Sequence, residues 1–172
     1  MSSKKQLLRE QSHGEQPLSS PSVERLKTWR LFFESAMALT DLLDAELQHE
    51  VGIPMRWYDV LVQLEESPDG IAMNVLAERI LYSKSGLTRV VDRMEEAGLV
   101  QRVRPETDRR SILVVLTDKG HETMADARRY HRDGIERHFS QHLTEADVKA
   151  LDRALVKVSL HARPLRPGRI RG

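Results

Sequence analysis

The sequence contains no cysteine. That absence excludes disulfide frameworks, thiol redox sensing, cysteine-ligated zinc modules and cysteine nucleophiles. Aromatic residues make up only 5% of the chain, with two Trp, three Tyr and three Phe, so any sizeable core has to be mainly aliphatic. No apolar run approaches the roughly 18–20 residues of a membrane span. The opening stretch, MSSKKQLLREQSHGEQPLSSP, has no apolar segment of the kind a secretory signal needs. The expectation is a cytoplasmic protein with no membrane partner. Also missing are GxSxG, a Walker loop, GxGxxG and HExxH, the local patterns of nucleophilic, phosphate-binding, dinucleotide and zinc chemistry. Neither an enzyme nor a cofactor is expected. His138 and His142 are four apart, but a helix should end between them and no further ligand accompanies them. They read as surface histidines, and no metal is expected.

What is present is the balance of a globular protein: 172 residues, 40% hydrophobic and 31% charged, which suggests one domain with tails. The net charge of +1 hides an asymmetry. Between Glu34 and Asp69 nine acidic residues face the single base Arg56. Between Lys84 and Arg110 seven bases (Lys84, Arg89, Arg93, Arg102, Arg104, Arg109 and Arg110) outnumber five acids. After His161 come Arg163, Arg166, Arg169 and Arg171 with no acid among them. Blocks of opposite sign describe a polarised molecule with one face suited to an anionic partner.

The periodicity divides the chain. Residues 1–21 are polar and are expected to be a disordered tail. Ser22 can cap a long helix over 22–51, with Val23, Leu26, Phe33, Met37, Thr40, Leu43 and Leu47 recurring at three- and four-residue steps. Trp29, Phe32, Ala36 and Leu39 widen that stripe, which asks for burial by more than one neighbour. Gly52 ends it. Pro54 suits the first turn of a second helix, whose apolar side is Met55, Tyr58, Leu61 and Val62, with Trp57 a further candidate. Ser67-Pro68-Asp69-Gly70 is a turn. Met73, Val75, Leu76 and Ile80 mark a short third helix. A fourth, over 83–97, turns Leu87, Val90, Val91 and Met94 inward and ends at Gly98. Leu99–Arg104 and Ser111–Leu116 read as strands joined by a loop over 105–110. Thr117 and Asp118 open a fifth helix to about Phe139. Thr144 and Asp147 form a capping box before a sixth, carrying Val148, Leu151, Leu155 and Val158. No internal repeat is visible. Short helix, polar turn, amphipathic helix, hairpin: this is a winged helix-turn-helix order.

The fourth helix carries polar residues at its N-terminal end: Ser83, Lys84, Ser85, Thr88 and Arg89. A recognition helix presents that end to the major groove, where short hydroxyls and long bases reach base edges and phosphates. Gly86 lets the backbone approach closely, and free amides at a helix start favour phosphate. Taken alone, the helix is equally an ordinary amphipathic surface helix. The hairpin just downstream shifts the balance, because a slim wing can place an arginine in the minor groove. Arg93 either reaches phosphate or braces the helix against Asp59 or Glu96, with bracing favoured.

The stretch LAERILYSKSGLTRVVDRMEEAGLVQRVRPETDRRSILVVLTDKG, residues 76–120, resembles the DNA-binding core of the MarR family of transcriptional regulators. The wing pattern of that family, D-x-R followed after five residues by L-T, reads here as Asp108, Arg109, Arg110, then Leu116 and Thr117 without a gap. The resemblance implies a mainly α fold with a small β-hairpin wing: a winged helix-turn-helix core (about 54–117) plus N- and C-terminal dimerisation helices (about 22–51 and 118–161), followed by a basic tail at 163–172. It implies that Arg110 enters the minor groove and that Asp108 orients it, as a carboxylate two residues away can hold a guanidinium in a fixed fork. Ser85, Thr88 and Arg89 fall on the groove-facing side of the helix, with Ser83, Lys84, Gly86, Arg93, Arg104 and Arg109 completing the DNA-binding set. The family also implies a homodimer on a palindromic operator, acting as a repressor, and a small aromatic or anionic effector near Trp57, Tyr58 and Asp59. For Trp57 and Tyr58, core packing is the stronger reading. The alternatives are an activator, or a dimeric DNA-binding or interaction protein that senses no ligand.

Overall fold

A computed structural model describes residues 20–80, 84–105 and 111–162, with Lys84 and Ser85 by their backbone alone. The elements are α1 (Val23–Glu50), α2 (Met55–Glu65), β1 (Ile71–Ala72), α3 (Met73–Arg79), α4 (Lys84–Glu96), β2 (Val100–Val103), β3 (Leu113–Leu116), α5 (Asp118–His138), a 3-10 turn (Ser140–His142) and α6 (Glu145–Ala162). The expected order of helices and hairpin is therefore observed. Among the described residues no helix is long and apolar enough to cross a membrane.

The chain forms two units, divided after Ala38. The first contains the opening turns of α1. Ser22 caps them loosely, its Oγ accepting from Arg25 N at 3.4 Å. Trp29 stacks on Phe33 with ring centroids 5.9 Å apart and tilts against Phe32 at 6.2 Å. These rings, together with Val23, Leu26, Leu31 and Met37, are all exposed.

The second unit, from Leu39 onward, holds the core. Leu47 of α1, Leu61 and Leu64 of α2, Leu76 of α3, Leu87, Val91 and Met94 of α4, Val100 and Val114 of the sheet and Met124 of α5 are all sealed from solvent. The inward face of α4 is the one its spacing predicts. On α2 the expected face was too narrow. Val60 and Leu64 are buried there, while Met55 and Val62 are only partly covered. The helix packs against α3, α4, β3 and α5, so burial on several sides blurs its period.

The wing is part of a three-stranded antiparallel sheet in the order β1-β3-β2, not a lone hairpin. β2 pairs with β3 from Val100↔Leu116 to Val103↔Leu113, and β1 adds Ile71↔Val114 and Ala72↔Leu113 on the other edge. β2 is one residue shorter at each end than its expected run, and β3 starts two residues later than expected and ends at Leu116 as expected. Gly70, at φ +89°, lets the chain enter that edge. A Cβ there would meet the Val115 side chain at 2.7 Å. A strand of two residues has no alternation to read, which is why β1 is absent from the sequence expectation.

The caps at α5 and α6 follow the sequence. Thr117 Oγ1 accepts from Gly120 N at 3.0 Å. Thr144 N donates to Asp147 Oδ2 at 3.0 Å and Asp147 N returns to Thr144 Oγ1 at 3.3 Å, the reciprocal pair of a capping box. The Thr144 hydrogen bonds hold the Asp147 carboxyl below its ordinary range. Against α1, Arg137 and His138 grip the carboxylate of Glu46 at 2.9 and 2.7 Å. His142 Nε2 meets the Arg137 carbonyl at 3.1 Å, so the two spaced histidines have separate protein partners.

Candidate nucleic-acid interface

Helix α4 is positioned from its buried side. Leu87, Val91 and Met94 lie in the core, and the opposite side presents Thr88, Arg89 and Arg93, all exposed. Neither Arg89 nor Arg93 has a side-chain hydrogen bond or ion pair with a described residue. The expected brace from Arg93 to Asp59 or Glu96 is not formed.

The brace comes instead from the sheet. Arg102, on β2, donates Nη2 to Asp92 Oδ1 at 2.6 Å and Nη1 to Glu95, while its backbone N donates to Glu95 Oε1 at 2.9 Å. Burial works against the guanidinium charge. The hydrogen bonds and negative charge of Asp92 and Glu95 outweigh it and hold Arg102 above its ordinary range. Asp92 and Glu95 are three apart on one helix face, but nothing local in the sequence names a strand residue as their partner.

The far end of α4 is joined to α5. Thr117 Oγ1 donates to the Gly98 carbonyl at 2.7 Å, Lys119 Nζ to the Ala97 carbonyl at 2.8 Å, and Thr117 N to the Leu99 carbonyl at 3.1 Å. A lysine at a helix C-terminus also meets the negative end of its dipole. Gly120 is required at this joint, because a Cβ would collide with the Leu99 carbonyl oxygen.

Beside α4 lies a half-open cleft of about 500 Å³, lined by Asp44 and Gln48 of α1, Pro54, Arg56 and Trp57 at the start of α2, and Gly86, Arg89, Val90 and Arg93 of α4. Asp44 is already engaged: its Oδ1 caps α2 at Met55 N, 2.5 Å away, and its Oδ2 accepts from Gln48 at 2.6 Å. The structure thus separates the residues expected near an effector. Trp57 lines the cleft. Tyr58 is buried on the other side, its ring 4.7 Å from that of His131, and burial pushes its phenol up against an opposing pull from Arg128. Asp59 is half-buried. Burial also pushes the His131 imidazole down, with Asp59 opposing, and its buried Nδ1 has no hydrogen-bond partner among the described residues. Arg56, Asp44 and Gln48 are cleft residues the sequence did not single out. Their signal was faint, an i, i+4 pair on α1 and a lone base in an acidic stretch.

Of the other expected DNA-binding residues, Lys84, Ser85 and Gly86 occupy the first turn of α4, and Arg104 is exposed just beyond β2. Ser83, Asp108, Arg109 and Arg110 lie outside the described residues.

A helix pair ending in an outward-facing recognition helix, followed by a wing sheet, defines a winged helix-turn-helix protein. The MarR family model matches residues 51–111. Over longer stretches, the fold superposes on AbsC, a MarR family transcriptional regulator of Streptomyces coelicolor, at TM-score 0.76 and 37% identity, covering 84% of this chain and 97% of that one. A second Streptomyces coelicolor MarR family regulator, solved in complex with DNA, matches at TM-score 0.76 and 31% identity, covering 88% and 97%. The HTH-type transcriptional regulator PecS of Dickeya dadantii is 36% identical over 67 residues, 38% of this chain; the match spans only 40% of that relative's length. The chain belongs to the MarR family of transcriptional regulators.

Proposed function

We propose that the chain is a homodimeric repressor that binds palindromic promoter DNA, with helix 83–97 in the major groove and the wing over 104–111 in the minor groove. The observation that carries this reading is the two-sided build of α4: a sealed aliphatic face, and an outer face where Thr88, Arg89 and Arg93 stand exposed. A relative at 31% identity was solved with DNA bound. In this division of labour, 54–117 is the DNA-binding lobe and the helices over 22–51 and 118–161 pair two chains. The exposed apolar residues of α6 (Val148, Leu151, Leu155 and Val158) favour pairing, as do the exposed rings of α1. Two-fold symmetry then asks for half-sites about 10 bp apart centre to centre. Repression follows from occupying a promoter. The polar tail before residue 22 and the arginine tail 163–172 lie outside this machinery, the latter adding affinity for phosphate without sequence preference.

A small aromatic anion is the effector that the cleft beside α4 suits. Trp57 offers a ring face, and Arg56, Arg89 and Arg93 offer three guanidinium groups with no carboxylate partner among the described residues. Arg89 belongs to both the cleft and the groove-facing side, so a bound anion would compete with DNA for it and favour a dimer that misfits the operator.

The test is to recover genomic fragments on the purified protein, sequence them, and titrate the enriched site at fixed salt. Arg89→Ala and Arg110→Ala should each weaken binding by about 1–3 kcal/mol while the dimer stays intact. No enriched site would end the regulator reading. Unchanged affinity for Arg110→Ala would remove the wing from it.

A further inference from the structure

By sequence Arg102 is one more base in the run from Lys84 to Arg110, and so one more candidate for phosphate. Its side chain instead turns inward, only 25% exposed, against Asp92 at 48% and Glu95 at 37%. Both arms of the guanidinium are taken up by the two carboxylates, and the backbone N of the same residue holds Glu95 as well. The strand that carries it is fixed in turn, since Arg102 is paired with the buried Val114 in the β2–β3 ladder. One residue therefore ties the sheet of the wing to the middle and last turns of the recognition helix.

We propose that Arg102 is a positioning residue for sequence-specific binding: by fastening β2 to Asp92 and Glu95 it holds wing and recognition helix at one mutual setting, without touching DNA itself. The inference rests on the DNA-binding reading above. A specific complex requires helix and wing to meet their grooves together, in register. Non-specific binding requires only positive charge near phosphate. A clamp between the two readers therefore acts on the difference between those modes. Arginine suits the task and lysine does not, because a planar fork can engage two carboxylates at once and a point charge cannot.

Two full-length variants test this. Arg102→Lys keeps the charge and loses the fork. Asp92→Asn/Glu95→Gln keeps Arg102 and frees it, while removing two negative charges from the recognition helix. In both, the ratio of specific to non-specific affinity should fall by about tenfold, the scale of one charge-assisted hydrogen bond. Arg102→Lys should leave the salt dependence of specific binding unchanged. The double variant should bind random DNA more tightly than wild type even as its preference for the operator falls. A phosphate-contacting Arg102 gives the opposite: the freed guanidinium raises affinity for both DNAs, steepens the salt slope and preserves the ratio. That result overturns the proposal, as does a lower melting temperature with an unchanged ratio, which would mark Arg102 as merely structural. If wild type itself shows no preference, the regulator reading fails and this inference with it. A strong wild-type preference that persists in both variants defeats this inference alone.

Discussion

Helices α4 and α6 both carry aliphatic residues at helical spacing, and the two sets end in opposite surroundings. Leu87, Val90, Val91 and Met94 of α4 are at most 8% exposed, whereas Val148, Leu151, Leu155 and Val158 of α6 are 36–57% exposed. The difference is one of neighbours. Around α4, helices α2 and α3 and strand β2 arrive from nearby in the sequence and close over its face. On α6 no residue is buried, although the residues are equally apolar. An amphipathic stripe thus specifies a demand for cover and leaves open which chain supplies it. The exposed rings near the start of α1 make the same demand.

The comparison can be broken most forcefully at the filled face. Leu76→Ala empties a fully buried site of the lobe and should destabilise it by about 2–5 kcal/mol, read as a lowered denaturant midpoint with DNA binding lost in parallel. A change below about 1 kcal/mol would mean that the lobe is less tightly packed than its burial implies. Leu155→Glu, on the unfilled face, should leave the lobe folded and weaken self-association by about 2 kcal/mol or more if that face is a pairing surface. Sedimentation at several concentrations measures it, and an unaltered association state would assign the face to some other cover.

The smallest effect is electrostatic. Glu46 is held below the ordinary carboxylate range, chiefly by its hydrogen bond to His138 and with help from Arg137, against the cost of partial burial. A depressed carboxyl stabilises the fold above its unfolded value and loses that contribution as pH falls through its folded value. Glu46→Gln should therefore cost about 0.2–1 kcal/mol near neutral pH, with the gap to wild type closing as pH falls below the ordinary carboxylate range. A gap that stays constant through acid titration would show that the side chain acts by packing alone.

Features whose physics is local were legible in the sequence. Thr144 and Asp147 declare a capping box because both partners lie within one turn, and α4 declares its face because it is buried on one side only. The run Ser111–Leu116, rich in β-branched residues, declares a strand, of which Leu113–Leu116 is paired. What escaped depends on partners brought from elsewhere. β1 is too short to alternate. Tyr58 points to α5 rather than to the cleft because α2 is covered on several sides. Arg102 reaches Asp92 and Glu95 from the neighbouring strand, and no helical spacing names a partner that lies beyond the helix. The cleft beside α4 needed the end of α1 to be folded against α2, and no spacing rule encodes that.

The joint between α4 and α5 has a mechanical consequence. Thr117, Lys119 and the close approach at Gly120 fasten the last turn of one helix to the first turn of the other. α5 continues from there for 21 residues, a rod of about 30 Å at 1.5 Å per residue. Rotating such a rod by about 6° about its far end carries the near end through about 3 Å, close to the 3.4 Å rise between successive base pairs. If α4 reads the operator as proposed, a tilt of that size at one end of α5 would put the reader about one base pair out of step at the other.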